Sequence, residues 1–187
     1  MSTQPAVRRW TYDEFARLPN DGNRYEVIGG ELYVTPAPTP LHQKIVTRLI
    51  AALDGFCDTH GLGEVFAPID VLFGEGDYLT PDLVFVALDR MAIVSDRAAE
   101  AAPDLVVEVL SPTTAMRDRG IKRERYARFG VIEYWIVDIQ RSRVERYMLQ
   151  NEPDRPAEMA TDTLDWQPVA GGPVLTLNVP DLLRDFR

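Results

Sequence analysis

Pro81-Asp-Leu-Val-Phe-Val-Ala-Leu88 and Pro103-Asp-Leu-Val-Val-Glu-Val-Leu-Ser-Pro112 are the stretches that decide the fold. Each opens on proline and aspartate and then runs through valine, leucine or phenylalanine, whose branched or aromatic side chains suit a pleated surface. Asp82–Leu88 and Asp104–Leu110 are therefore expected as strands, both central in a sheet. Side chains alternate faces along a strand. Asp104, Val106, Glu108 and Leu110 thus share one face and Leu105, Val107 and Val109 the other, which leaves Glu108 among apolar neighbours. A carboxylate in that place loses hydration and either takes a raised pKa or needs a cation at its side. The competing reading is a half-exposed strand with Glu108 turned to water or paired with an arginine. Asp82, at a strand start, is by itself an ordinary turn residue. If the two strands are neighbours, only certain relative directions bring Asp82 and Glu108 together. Two carboxylates about 4 to 6 Å apart raise each other's pKa unless a divalent cation neutralises them, and such hard oxygen ligands suit Mg²⁺ or Mn²⁺.

Upstream, Thr11-Tyr-Asp-Glu14 is a capping box that opens a helix ending near Pro19. Tyr25–Ile28 and Glu31–Val34 are expected as strands joined by Gly29-Gly30, a two-residue hairpin linkage. Alternating prolines keep Thr35–Pro40 extended. From Leu41, apolar residues at Ile45, Leu49, Leu53 and Phe56 predict a long helix stopping near Gly61. Gly63–Phe73 reads as a strand with a bend or an edge at Pro68, and Gly74–Asp77 as a turn. Downstream, Asp89–Pro103 is a loop or short helix. A helix capped by Thr113 or Thr114 should run to Phe129 and stop at Gly130. Glu133–Asp138 and Arg143–Leu149 form a hairpin over Ile139–Ser142, and the Pro-rich remainder offers at most one strand, near Val174–Leu177. The main order, helix, strand, strand, strand, helix, strand, describes an α/β sandwich around a mixed sheet.

The helix after Ser111-Pro112 carries the third candidate. At about 100° per residue, Lys122, Tyr126 and Phe129 share one face, which the aromatic residues mark as packed on the sheet. A lysine there points its amine at the sheet and needs acids, which Asp82 and Glu108 would supply; the alternative is a lysine that snorkels out to water. The segment Ala115–Gly130 holds six basic residues against Asp118 and Glu124, a net +4 within a chain of −9, so one basic patch sits on an acidic body. That overall charge excludes a protein gripping nucleic acid with its whole surface. Arg117, Arg123, Arg125 and Arg128 are expected on a solvated, ion-paired face.

At 187 residues the chain fits a single domain, 1–187, with a core of about 11–149 and a C-terminal extension over 150–187. The single Cys57 forms no internal disulfide, Met1–Trp10 has no apolar stretch behind its arginines, and apolar runs are strand-sized, so a cytoplasmic protein with no membrane association is expected.

Pro81-Asp82 at a strand start and Glu108 in the next strand resemble the PD-(D/E)XK nuclease superfamily. More narrowly, Tyr25-Glu-Val-Ile-Gly-Gly-Glu-Leu32, His42-Gln43, Pro103–Pro112, Arg117–Phe129 and Glu133-Tyr-Trp-Ile-Val-Asp138 resemble the bacterial Uma-type family of restriction endonucleases, long catalogued as a domain of unknown function. The resemblance covers roughly Thr11–Leu149. It implies a restriction-endonuclease-like core with an N-terminal hairpin and a C-terminal hairpin extension. It also implies a Mg²⁺- or Mn²⁺-dependent endonuclease acting on nucleic acid, with DNA expected; the oligomeric state is left open, although a homodimer is common among nucleases that cut two strands and the C-terminal hairpin offers an edge. Asp82, Glu108 and the carbonyl of Val109 would hold the metal and Lys122 would assist attack. The superfamily lysine normally stands two residues after the acid, where this chain has Leu110; Lys122 is its replacement. Of Glu26, Glu31 and His42, Glu31 is expected to complete the site and the others to form surface ion pairs. The alternatives are a catalytically weak nuclease-fold module that binds nucleic acid or protein, and metal-assisted hydrolysis of another phosphoester.

Overall fold

Thr11 opens the first helix by the expected reciprocal bonds. In the computed structural model, which describes residues 9–74 and 76–185, its hydroxyl accepts from the Glu14 N–H while the Glu14 carboxylate accepts from the Thr11 N–H. This helix, α1 (Tyr12–Phe15), is a single turn and stops short of Pro19. Strands β1 (Arg24–Ile28) and β2 (Glu31–Thr35) pair antiparallel, with Arg24 across from Thr35. Gly29 and Gly30 between them take φ of +62° and +90°, the left-handed values a two-residue hairpin of this hand requires.

Thr39 caps α2 (Pro40–His60), accepting from His42 N at 3.3 Å, and Gly61 ends it at φ +61°. Its buried stripe is His42, Ile45, Leu49, Leu53 and Cys57. The strand expected over Gly63–Phe73 is in fact two in different sheets: β3 (Gly63–Phe66) and β4 (Val71–Leu72), with Pro68 between them. β4 pairs with β5 (Tyr78–Leu79), and β5 with β1, forming a small sheet in the order β2-β1-β5-β4. The turn expected at Gly74–Asp77 is present, Asp77 N donating to Gly74 O at 3.2 Å, although Glu75 lies outside the described residues, as does most of the Met1–Trp10 stretch.

β6 (Leu83–Ala87) is followed by a 3₁₀ turn over Leu88–Ile93, and β7 (Leu105–Val109) by an interrupted helical run. That run is not the single helix expected. A turn at Ala115–Arg117 (α3) leads into a wider, π-type turn over Asp118–Lys122, where Gly120 leaves helical backbone at φ −104° and ψ −106°. Regular helix resumes as α4 (Arg123–Phe129), with Gly130 at φ +94° closing it. β8 (Glu133–Asp138) and β9 (Arg143–Met148) form the predicted hairpin.

Beyond Leu149, where at most one strand is expected, three strands and a helix form. β10 (Glu158–Ala160), β11 (Thr163–Trp166), β12 (Leu175–Asn178) and α5 (Val179–Leu183) follow. The main sheet runs β10-β9-β8-β7-β6-β3, with β7 and β8 parallel and the other pairs antiparallel, so it is mixed and β6 and β7 lie inside it. One face packs on α2, α5 and the β11/β12 hairpin through Leu49, Leu53, Trp135, Trp166 and Leu182. The other packs on α4 and the small sheet through Val84, Val106, Tyr126, Tyr134 and Ile28. Leu164, Trp166, Leu177 and Leu182, all beyond Leu149, belong to the α2-side cluster. Among the described residues, no helix is long and apolar enough to cross a membrane.

Candidate active site

β6 and β7 are antiparallel, with Val84 across from Val106 and Leu83 across from Val107. One step further, the same register sets Asp82 opposite Glu108 at the end of the ladder. The direction that sequence left open is therefore the one that unites the two acids. Asp82 closes the ladder with its side chain, Oδ2 accepting from Val109 N at 2.8 Å. The same oxygen lies 3.1 Å from His42 Nε2, and Arg24 pairs with Oδ1. Burial alone pushes the Asp82 carboxyl up, but His42 and Arg24 outweigh it and hold the pKa at about 2.

Glu108 is buried. Its Oε1 accepts from Tyr126 OH at 2.8 Å and pairs with the Lys122 ammonium. Burial pushes its carboxyl well above the usual range, Asp118, Asp82 and Glu26 adding to the effect while Lys122 works against it. Lys122 is only 2% exposed, with Nζ 2.8 Å from Glu26 Oε1 and 3.7 Å from Asp118 Oδ1. Burial pushes the amine down, but Glu108, Glu26 and Asp118 outweigh it and raise it, so the ammonium keeps its proton. Lys122 and Tyr126 both face the sheet, as their spacing predicts, and Phe129 stacks on Phe73 at 4.7 Å.

Glu31 does not join this group. It is exposed and accepts from Tyr33 OH at 3.2 Å. Glu26 takes the place expected for it, buried between Lys122, Thr80 N at 3.1 Å and Arg117 at 3.8 Å. His42 and Asp118 were likewise not foreseen as inward-facing residues. Both are buried, and His42 Nδ1 and Asp118 Oδ1 have no hydrogen-bond partner among the described residues. Periodicity carried a signal for His42, which begins the same helical stripe as Ile45 and Leu49, and for Asp118, one turn before Lys122. Asp118 is raised by its burial, only partly offset by Lys122.

These side chains line a cleft of about 360 Å³, bounded by Thr35–Thr39, the first turn of α2, the facing ends of β6 and β7, and Ser111–Asp118. Val109 lines it too. Arg117 reaches across to Thr35 Oγ1 at 2.5 Å. The cleft thus holds four carboxylates, from Glu26, Asp82, Glu108 and Asp118, engaged by Arg24, Arg117 and Lys122. Among the described residues, a group of three acidic side chains close enough together to share one ion, Asp54, Asp58 and Glu64, lies outside the cleft and is largely exposed.

The basic patch read from the sequence is largely neutralised within the fold. Lys122 and Arg117 turn into the cleft; Arg119 binds Asp138 at 2.6 Å and Glu145 at 2.7 Å. Arg123 pairs with Asp154 at 3.1 Å, and Arg125 lies 3.5 Å from Asp77.

The Uma2 family, described as "Putative restriction endonuclease", matches residues 12–179 of the chain. The match extends past Leu149 through β10, β11 and β12, further than the sequence resemblance was drawn. The fold is similar to a crystal structure from Anabaena variabilis ATCC 29413 described as a "putative nuclease belonging to DUF820". The TM-score is 0.75 at 20% sequence identity, over 93% of this chain and 97% of that chain. No curated protein matches the chain by sequence.

Proposed function

Because the chain belongs to the Uma2 family, we propose that it is a metal-dependent endonuclease hydrolysing phosphodiester bonds in DNA. The observation that carries this reading is the cross-strand placement of Asp82 and Glu108 with the Lys122 ammonium buried against Glu108. The donors suit the group: carboxylate oxygens from adjoining strands favour a hard divalent cation such as Mg²⁺ or Mn²⁺, and Asp118 adds a buried oxygen with no hydrogen-bond partner among the described residues. Asp82, Glu108 and the Val109 carbonyl would hold the ion. When bound, it lowers the pKa of a water and stabilises charge on the phosphorus oxygens.

The chain's own groups do the rest. An amine kept protonated by Glu108, Glu26 and Asp118 orients a nucleophile and offsets developing negative charge, rather than accepting a proton. His42 and Arg24 keep Asp82 ionised and aimed at the cleft. Arg117, at the rim, offers a guanidinium fork for a phosphate oxygen. A reducing cytoplasm suits Cys57, which is buried with its thiol pushed up to about 12, and a homodimer suits cleavage of two strands.

The test is incubation with supercoiled plasmid and single-stranded DNA in Mg²⁺, Mn²⁺ or EDTA, beside the Asp82→Ala/Glu108→Ala variant. Cleavage that requires metal and disappears in the variant is expected. Glu26→Gln should also lower it, whereas Glu31→Gln should leave it intact. Cleavage surviving the double substitution overturns the assignment. Silence from a folded wild type that still binds DNA favours a binding module.

A further inference from the structure

We propose that the hollow between the Gly29-Gly30 turn and the outer side of α4 is a second phosphate site, separate from the cleft. It measures about 250 Å³, and three arginines, Arg9, Arg125 and Arg128, face Asp77 across it. Asp77 is buried and fixed: its Oδ1 accepts from Gly29 N at 2.8 Å and lies 3.5 Å from Arg125 Nε. This ion pair draws Arg125 toward Asp77. Among the described residues, neither Arg9 nor Arg128 is held by an ion pair. The described residues that line the hollow therefore carry a surplus of +2 in a chain whose net charge is −9.

The walls are built for this convergence. A Cβ at Gly29 would lie 2.5 Å from an Arg125 terminal nitrogen, and one at Gly30 would lie 2.8 Å from Arg9 Cγ. The glycines that form the hairpin turn also let both arginine side chains lie against its backbone. On the other side, Phe73 and Phe129 stack with ring planes 7° apart, and the Arg128 guanidinium lies 5.9 Å from the Phe129 ring centre. Planar guanidinium forks bind oxyanions bidentately, and several forks meeting at one place suit a phosphate, which offers oxygens in more than one direction.

The identification of the phosphate's source rests on the nuclease reading. Gly29, in the turn just past the end of β1, follows the cleft residue Glu26 by three positions. At roughly 3.3 Å per residue that is about 10 Å of extended chain, comparable to about three nucleotide steps of ~3.4 Å along a bound strand. A strand cut in the cleft would thus carry a phosphate over this hollow.

Binding of a labelled oligonucleotide, with and without a 5′-phosphate, measured in EDTA across a salt series, tests the proposal in wild type and Arg9→Ala/Arg128→Ala. Neither substitution touches the cleft. The variant should bind about tenfold more weakly at low salt, and the slope of log affinity against log salt should fall by about one to two. A loss confined to the phosphorylated oligonucleotide assigns the hollow to a strand end; an equal loss for both assigns it to the strand interior. If wild type binds no oligonucleotide, yet inorganic phosphate raises its melting temperature and fails to do so in the variant, the hollow stands as a site for free phosphate and the nuclease reading falls by itself. Identical affinities and slopes in wild type and variant overturn the proposal, as does a wild type indifferent to both probes.

Discussion

Replacing Lys122 with methionine removes an ammonium and leaves a side chain of similar length, so the cost is electrostatic rather than a matter of packing. In the wild type the amine is buried against Glu26 and Glu108, with Asp118 at 3.7 Å. Removing one member of a buried pair costs about 3–5 kcal/mol. Arg117, 3.8 Å from Glu26 Oε2, compensates in part, which favours the lower end, about 3 kcal/mol. For a chain of 187 residues, at about 2–4 °C per kcal/mol, the melting temperature in EDTA should fall by roughly 6–12 °C. The deficit should also depend on pH. Burial already raises Glu108, and without Lys122 it rises further. A carboxyl whose folded pKa lies above its unfolded value contributes stability below the unfolded pKa and loses it as pH rises through the folded one. The variant should therefore lose ground between pH 5 and pH 8, and Mn²⁺ should restore part of its stability by replacing the missing positive charge. Thermal unfolding followed by circular dichroism at both pH values, in EDTA and in Mn²⁺, measures all of this. A melting temperature in EDTA at pH 8 within about 2 °C of wild type, a difference smaller than ~1 kcal/mol, would refute the buried ammonium.

Trp166→Ala should destabilise the protein by about 3–5 kcal/mol in urea unfolding, because the ring is fully buried against Phe85 and Trp135. A loss under about 1 kcal/mol would mean that the segment after Leu149 does not belong to the core. In Asp138 and Glu145, burial pushes the carboxyls up, but hydrogen bonds from Arg141, Arg119 and Arg143 outweigh it and leave both below their usual values. Their stabilisation is present at neutral pH and is lost as pH falls below about 4 through the folded-state pKa values. Arg119→Met should accordingly be less stable than wild type at pH 7 and approach it at pH 3; an unchanged gap in urea midpoints would contradict the network.

Glu108 was legible because alternation along a single strand needs no knowledge of the fold: Val106 and Leu110 mark its face, whereas Asp82, an ordinary turn residue on its own, was singled out only by the family resemblance. Lys122 was legible although its helix is broken, since the widened turn ends at Lys122 and the spacing to Tyr126 remains helical. Glu26 and Glu31 show the limit. Both belong to a short hairpin with similar patterns, and only the docking of that hairpin beside the cleft decides which is enclosed. Arg123 and Arg125 are ion-paired as expected, but which acids pair with the arginine run could not be read, because its counter-charges, Asp77, Asp138, Glu145 and Asp154, come from other segments. After Leu149, strands of three or four residues between prolines are too short for a period to emerge, even though Leu164 and Trp166 alternate inward.

The cleft draws Arg24 and Glu26 from β1, His42 from α2, Asp82 from the start of β6, Glu108 from β7 and Lys122 from the turn before α4. α2 in turn is seated by later chain: Arg48 donates to the Leu182 carbonyl at 3.0 Å, and Leu182 and Trp166 bury the face that α2 presents. A polypeptide emerging from the ribosome therefore possesses every one of these acids long before it can hold them in register. On the proposed function, competence to cut should arrive late in synthesis and all at once, so that unfinished or unfolded copies would pose no hazard to surrounding DNA.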